Sequence, residues 1–211
     1  MKKSLVLLPL VLIASALALA ACGGGGSSSG GSDAEAAIEE TIKESATSTD
    51  PSKCTELQTQ AFNEQETASK GKEATENCEA GAENNSSDAN SVNVTEVSVN
   101  GETATASTEV SGTSLNGQEL EIELVEEGGT WKMNKFLGFA NYDAQALAKS
   151  LEEAILKEEG VTDSLAKCVS EGVSKFSQKQ AEEVAFEGKT EGLEEVVTAC
   201  SEEESGGEET E

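Results

Sequence analysis

Four cysteines constrain this chain more than any other feature. They stand at Cys54, Cys78, Cys168 and Cys200, and a fifth, Cys22, stands apart from them. The chain opens with Met1-Lys2-Lys3 and an apolar run from Leu5 to Ala20 that contains Pro9. That run is short for a membrane-spanning helix and has the length of an export signal, so residues 1–21 read as a cleaved leader. An exported chain meets an oxidising compartment, where an even set of cysteines suggests disulfides. Four cysteines allow three pairings. Cys54–Cys78 and Cys168–Cys200 are favoured because each pair then falls inside one organised segment. Each bridge would stabilise its segment by about 3–4 kcal/mol on the loop-entropy model. Free buried thiols are the alternative. A structural metal site has less support, because neither CxxC spacing nor histidine accompanies these cysteines.

The leader ends in Leu19-Ala20-Ala21-Cys22. Small residues followed by cysteine at this place resemble the lipobox of bacterial lipoproteins. The resemblance implies that a diacylglyceryl thioether forms on Cys22 and that Cys22 becomes the first residue. It also implies that the chain sits lipid-anchored on the extracytoplasmic face of the cell membrane. Residues 22–32, rich in glycine and serine, then read as a flexible tether.

Charge narrows the function classes. The chain has 41 acidic and 14 basic residues and a formal net charge of −27. Every basic residue is a lysine, and histidine is absent. Such a surface repels phosphate backbones, which argues against nucleic-acid partners. Without histidine there is no His-based general base and no Ser-His-Asp or Cys-His system. Without arginine there is no bidentate fork for phosphate or carboxylate. No cofactor is expected, and no catalytic residue is assigned.

The first segment, 33–139, starts helical. Ser32-Asp33-Ala34-Glu35 can form a capping box, after which Ala34, Ala37, Ile38 and Ile42 share a face. Asp50-Pro51 is a second helix start, followed by a stripe of Cys54, Leu57 and Ala61 with Phe62 beside it. A third helix over about 65–79 has a thin apolar face, Ala68 and Ala74, and carries Cys78. The polar stretch Glu79 to Asn90 reads as a loop. Alternation then replaces helical spacing. Ser91 to Val99 is a strand with a bulge between Val94 and Val97, and Asn100-Gly101 turns it into Thr103–Val110. Asn116-Gly117 makes a second turn. Leu120, Ile122 and Leu124 then alternate with Glu119, Glu121 and Glu123, as in a half-buried strand with an acidic outer face. Gly128-Gly129 leads into Thr130–Asn134, where Trp131 and Met133 point the same way. Helices on one face of an antiparallel meander make an α+β fold.

Asp50-Pro51-Ser52-Lys53-Cys54, Cys78 and the closing Gly129-Thr130-Trp131-Lys132-Met133 occur in an order that resembles the NTF2-like (SnoaL-like) domains of secreted actinobacterial lipoproteins. The resemblance implies a cone, in which N-terminal helices pack on a curved sheet around a conical cavity. Enzymes of that family line the cavity with His, Asp, Tyr or Arg. Here His and Arg are missing and the one tyrosine, Tyr142, lies beyond the strands, so the chain is expected not to be an enzyme.

The second segment, 142–201, is a small helical domain. Asp143 can cap a helix bearing Leu147, Leu151, Ala154 and Ile155, which stops near Gly160. A helix from Thr162 or Asp163 turns Leu165, Cys168, Val169, Val173 and Phe176 inward. Ser177-Gln178-Lys179-Gln180 is a capping box for a helix with Ala181, Val184 and Ala185. The last helix follows Gly192 and carries Leu193, Val196, Val197 and Cys200. This segment is similar to the two-cysteine helical modules of secreted actinobacterial proteins. Residues 202–211 read as an acidic disordered tail.

Two acidic groups are calcium candidates, Asp88 with Asn90 and the row Glu119, Glu121 and Glu123. The first lacks the glycine and closing glutamate of an EF-hand loop, and the second has strand spacing, so both read as solvated faces. Trp131 reads as core. The expected function is a non-catalytic envelope lipoprotein whose cone holds a small apolar ligand or a peptide. The alternative is a structural or protein-interaction lipoprotein of an envelope assembly with no small ligand.

Overall fold

The computed structural model describes residues 30–84, 89–158 and 160–206. Apolar residues at every second position of Leu120, Ile122 and Leu124 bury one face of a strand and leave its glutamates outside. That strand, β3 (Glu119–Glu127), lies third in an antiparallel meander with β1 (Ser91–Asn100), β2 (Thr103–Ser111) and β4 (Thr130–Asn141). Helices α1 (Gly30–Thr47), α2 (Lys53–Glu56), α3 (Gln60–Glu66) and α4 (Lys72–Glu83) precede the sheet. Helices α5 (Ala144–Ile155), α6 (Asp163–Val173), α7 (Gln178–Glu187) and α8 (Glu191–Gly206) follow it. The fold is α+β, with a curved sheet.

The curvature comes from β4, which is longer than the expected Thr130–Asn134. Its register with β3 shifts three times, so that Asn134, Leu137 and Ala140 have no opposite residue. An extra residue on one strand bends it and increases its twist. Three in a row move the inward side chains to a spacing of three, at Met133, Phe136 and Phe139. The expected bulge in β1 is also present, between Val94 and Glu96.

Ile38 and Ile42 of α1 and Phe62 of α3 pack against Ala104, Ala106, Ile122, Leu124, Trp131 and Met133 on the covered face of the sheet. A second cluster joins Leu120 and Phe139 to Ala181 and Phe186 of α7. A third joins Val169, Val173 and Cys200, with Leu151, Ile155 and Phe176 packed around them. The first two clusters share Phe136, and the last two share Leu147. Phe186 is the hinge of this arrangement, with its ring centroid 5.3 Å from that of Phe136 and 5.0 Å from that of Phe139.

Several expected elements are shifted. The helix expected from Asp50-Pro51 through Ala61 is two short helices, because Gln58 forms a parallel bridge to Met133 and Thr59 then caps α3. Ala61 is consequently exposed. The third helix begins at Lys72, not near residue 65, and Ala68 sits exposed in the preceding loop with φ +51°. It runs on to Glu83, into the stretch read as a loop. Helix α1 starts at Gly30, inside the expected tether, with Asp33 in its first turn where an acid complements the helix dipole. Helix α8 continues through 202–206, which were expected to be disordered, because a helix already fixed at Cys200 extends at little entropic cost. In α7 the buried partner of Ala181 is Phe186, while Ala185 is exposed. In α8, Val197 is also exposed.

Three expected caps form, whereas Ser32 lies inside α1, which starts at Gly30, and α2 starts after Ser52 with no side-chain cap. Asp143 Oδ1 accepts from the N–H groups of Gln145 and Ala146, and Thr162 caps α6. Ser177 and Gln180 close a full capping box. Each cap is worth about 1 kcal/mol.

Phe186→Ala removes the ring that joins α7 to the sheet. It is expected to lower stability by about 3–5 kcal/mol. Chemical denaturation of the oxidised protein should show this as one shifted cooperative transition.

Candidate functional site

The residues expected to carry chemistry separate in space. Cys22 and the expected leader lie outside the described residues, as do Asp88 and residues 207–211. The other four cysteines form two disulfides, Cys54–Cys78 and Cys168–Cys200, with Cα atoms 6.0 Å and 5.7 Å apart. The first fastens α4, which buries little apolar surface beyond Ala74, to α2. The second fastens α8 to α6 where Gly172 lets the helices approach. A Cβ added to Gly172 would lie 2.3 Å from Val196 Cγ1.

Two glutamates of the acidic row on β3 are held by neighbouring side chains, and Glu121 is exposed. Glu119 accepts from the Thr95 hydroxyl at 2.5 Å. Glu123 accepts from Asn134 Nδ2 at 2.7 Å and faces Lys135 Nζ at 3.3 Å. Among the described residues no group of three or more His, Cys, Asp or Glu side chains is placed to hold a metal ion. Trp131 is buried in the first cluster. Tyr142 donates to the carbonyl of Phe176 at 3.1 Å, and burial pushes its phenol pKa up.

The covered face of the sheet is filled by the molecule's own side chains. Ile38, Phe62 and Leu124 there are at most 1% exposed. Two shallow hollows lie elsewhere, on outward helix faces. One runs along α1 beside Glu35, Glu39, Glu40 and Lys43, and the other along α8 beside Glu191, Glu194 and Glu195. Both are open to solvent and acidic.

The two edges of the sheet differ sharply. On β4, the inward residues Met133, Phe136 and Phe139 have their outward backbone groups paired. Met133 N–H donates to Leu57 C=O, and Thr59 N–H donates to Met133 C=O, both at 2.9 Å. Gln65 does the same with a side chain, accepting from Phe136 N–H at 2.7 Å and donating to Phe136 C=O at 3.1 Å. At Phe139, Glu182 Oε1 accepts the N–H at 3.1 Å and Gln178 Nε2 donates to the C=O at 3.0 Å. Gly138 makes room, since a Cβ there would lie 2.6 Å from Glu182 Oε1. Just beyond the strand, Gln118 is fully buried and pairs with both backbone groups of Asp143. Strand β1 has no such rungs. Among the described residues, no backbone or side-chain hydrogen bond reaches its outer edge from another element.

Gln65, Gln118, Gln178 and Glu182 were not singled out from the sequence. Polar residues on helices read as surface, and only the distant strand edge gives them a role. Comparison with protein-family models, with curated proteins and with solved structures found no match.

Gln65→Ala strips both partners from Phe136 and is expected to cost about 1–3 kcal/mol by chemical denaturation. Gln145→Ala, on the exposed side of α5, should change stability by less than about 0.5 kcal/mol. A pH dependence follows from Glu64, which closes the α3–α4 loop. The Gly71 N–H at 2.9 Å and then the Lys70 ammonium hold its carboxyl below the usual range. A carboxyl depressed in the folded state adds stability above its unfolded pKa, and that stability is lost as pH falls through the folded pKa. The stability difference between wild type and Glu64→Gln should therefore shrink as pH is lowered from about 6 to about 3.

Proposed function

We propose that this chain is a cell-envelope lipoprotein, anchored through a lipid on Cys22 at the extracytoplasmic face of the membrane. In this reading an NTF2-like α+β domain and the C-terminal helices act as a non-catalytic protein-interaction module. The observation that carries it is the packed face of the sheet. With that face occupied by Ile38, Phe62, Leu124 and their neighbours, the surfaces left for recognition are the polar outer face, the strand edge and the acidic helices. The two disulfides support an oxidising location. The order of helices, cysteines and meander strands supports the NTF2-like assignment.

A ligand-holding cone is the second reading, and one observation favours it. Among the described residues, nothing hydrogen-bonds the buried Asn63 Oδ1 and Thr108 Oγ1, and such groups are costly unless something satisfies them. A small ligand would have to displace packed side chains to reach them.

The anchor is tested by Cys22→Ser, which should abolish labelling by a fatty-acid analogue and release the protein from the membrane fraction. Retention of the label would contradict it. Crosslinking in intact cells of the native host should capture a defined protein partner. A small-molecule adduct in native mass spectrometry, lost on denaturation and accompanied by no protein crosslink, would favour the ligand reading instead.

A further inference from the structure

The contrast between the two sheet edges has a functional side. An open strand edge is a template for pairing with another chain, and proteins normally blunt it with lysine, proline, bulges or a covering segment. Edge β4 is covered rung by rung at Met133, Phe136 and Phe139. Edge β1 offers ten residues, about half of whose backbone groups point away from β2. It contains no lysine and no proline. Helix α1 packs on the inner face of β1, through Val92, Val94 and Val97, and leaves the edge unbonded among the described residues. The single bulge, at Thr95, leaves the stretch Glu96–Asn100 in regular register with β2, and Val99 in it is 37% exposed.

Charge selects the occupant. Residues 91–127, which span β1 to β3, hold eight glutamates and no lysine, and Glu123 and Glu127 at the far side are the two that pair with Lys135 and Lys132 of β4. Glu96 stands on the edge strand itself, and Glu109 lies opposite Asn93 on β2. A second copy of this chain would set acid against acid, whereas a cationic strand would be drawn in. We propose that the outer edge of β1 receives an extended, lysine- or arginine-bearing segment of another polypeptide as a fifth strand of the sheet. Main-chain hydrogen bonds supply the affinity and the glutamates supply the selectivity, as in recognition by strand addition. The inference rests on the protein-interaction reading above and names its site and the chemistry of its partner.

The test uses full-length, disulfide-intact protein and a short synthetic peptide of alternating lysine and valine with blocked ends. Two further peptides serve as controls, one with glutamate in place of lysine and one with alternate backbone amides N-methylated. The lysine peptide should give cross-strand nuclear Overhauser contacts to residues 91–100. The N-methylated peptide keeps the charge but cannot complete the ladder, and it should bind at least about tenfold more weakly. The glutamate peptide should not bind. The double variant Glu96→Lys with Val99→Lys changes two exposed positions and should weaken the lysine peptide at least about tenfold while keeping its thermal transition. The peptide comparison stands even where that variant fails to fold. Equal binding of the N-methylated peptide, contacts confined to α1 or α8, or β1–β1 contacts between two copies would overturn the assignment. Failure of peptide pairing with cellular crosslinks through the helical surfaces intact overturns the β1 site alone. Absence of any protein crosslink overturns the interaction reading itself.

Discussion

The backbone edge of β4 is what the rest of the molecule is fastened to. Thr41 of α1 donates to the Trp131 carbonyl at 3.3 Å. The segment Leu57–Thr59 between α2 and α3 pairs with Met133, Gln65 of α3 with Phe136, and Gln178 and Glu182 of α7 with Phe139. Helices from both ends of the sequence thus meet on one strand. The outward backbone groups of a buried edge must find partners, because an unpaired buried amide or carbonyl forfeits its hydration with nothing in return. At Phe136 both partners come from the one amide side chain of Gln65, and at Phe139 Gln178 supplies one of the two. A glutamine can present a donor and an acceptor together, as a strand does.

The three bulges of β4 connect this edge to the core. Because they advance the inward residues by three, Met133, Phe136 and Phe139 arrive on the covered face in a curved row. Phe62, Phe136, Phe186, Phe139 and Tyr142 then form a continuous chain of ring contacts, with centroids 4.9–5.3 Å apart. In a chain only 3% aromatic, most of that payload is concentrated at the seam between the sheet and α7. The two disulfides act where apolar packing is thinnest, at α4 and α8. Glu182 is the carboxylate that reaches this seam, where it accepts the Phe139 N–H.

How legible this was depended on range. The alternation of Leu120, Ile122 and Leu124 with glutamates is local, and the strand, its acidic outer face and the hairpin turns could be read from it. The bulge in β1, the caps at Asp143 and Ser177 and the two local disulfides were legible for the same reason. The β4 extension was not. A spacing of three at Met133, Phe136 and Phe139 fits neither strand nor helix, and it makes sense only once the bulges are known. The break between α2 and α3 was hidden because Cys54, Leu57 and Ala61 keep helical spacing across it. What breaks the helix is Met133, far along the chain. The glutamine rungs were hidden too, since nothing near Gln65 or Gln178 marks them as anything but solvent-facing.

Strand β4 is a closed edge of the sheet, and among the described residues β1 is an open one. Native-state amide hydrogen exchange on the full-length oxidised protein tests this directly. The amides of Phe136 and Phe139 should exchange as slowly as those in the middle of β3, while alternate amides along β1 exchange quickly. Fast exchange at Phe136 and Phe139, or uniform protection along β1 in the isolated protein, would contradict it.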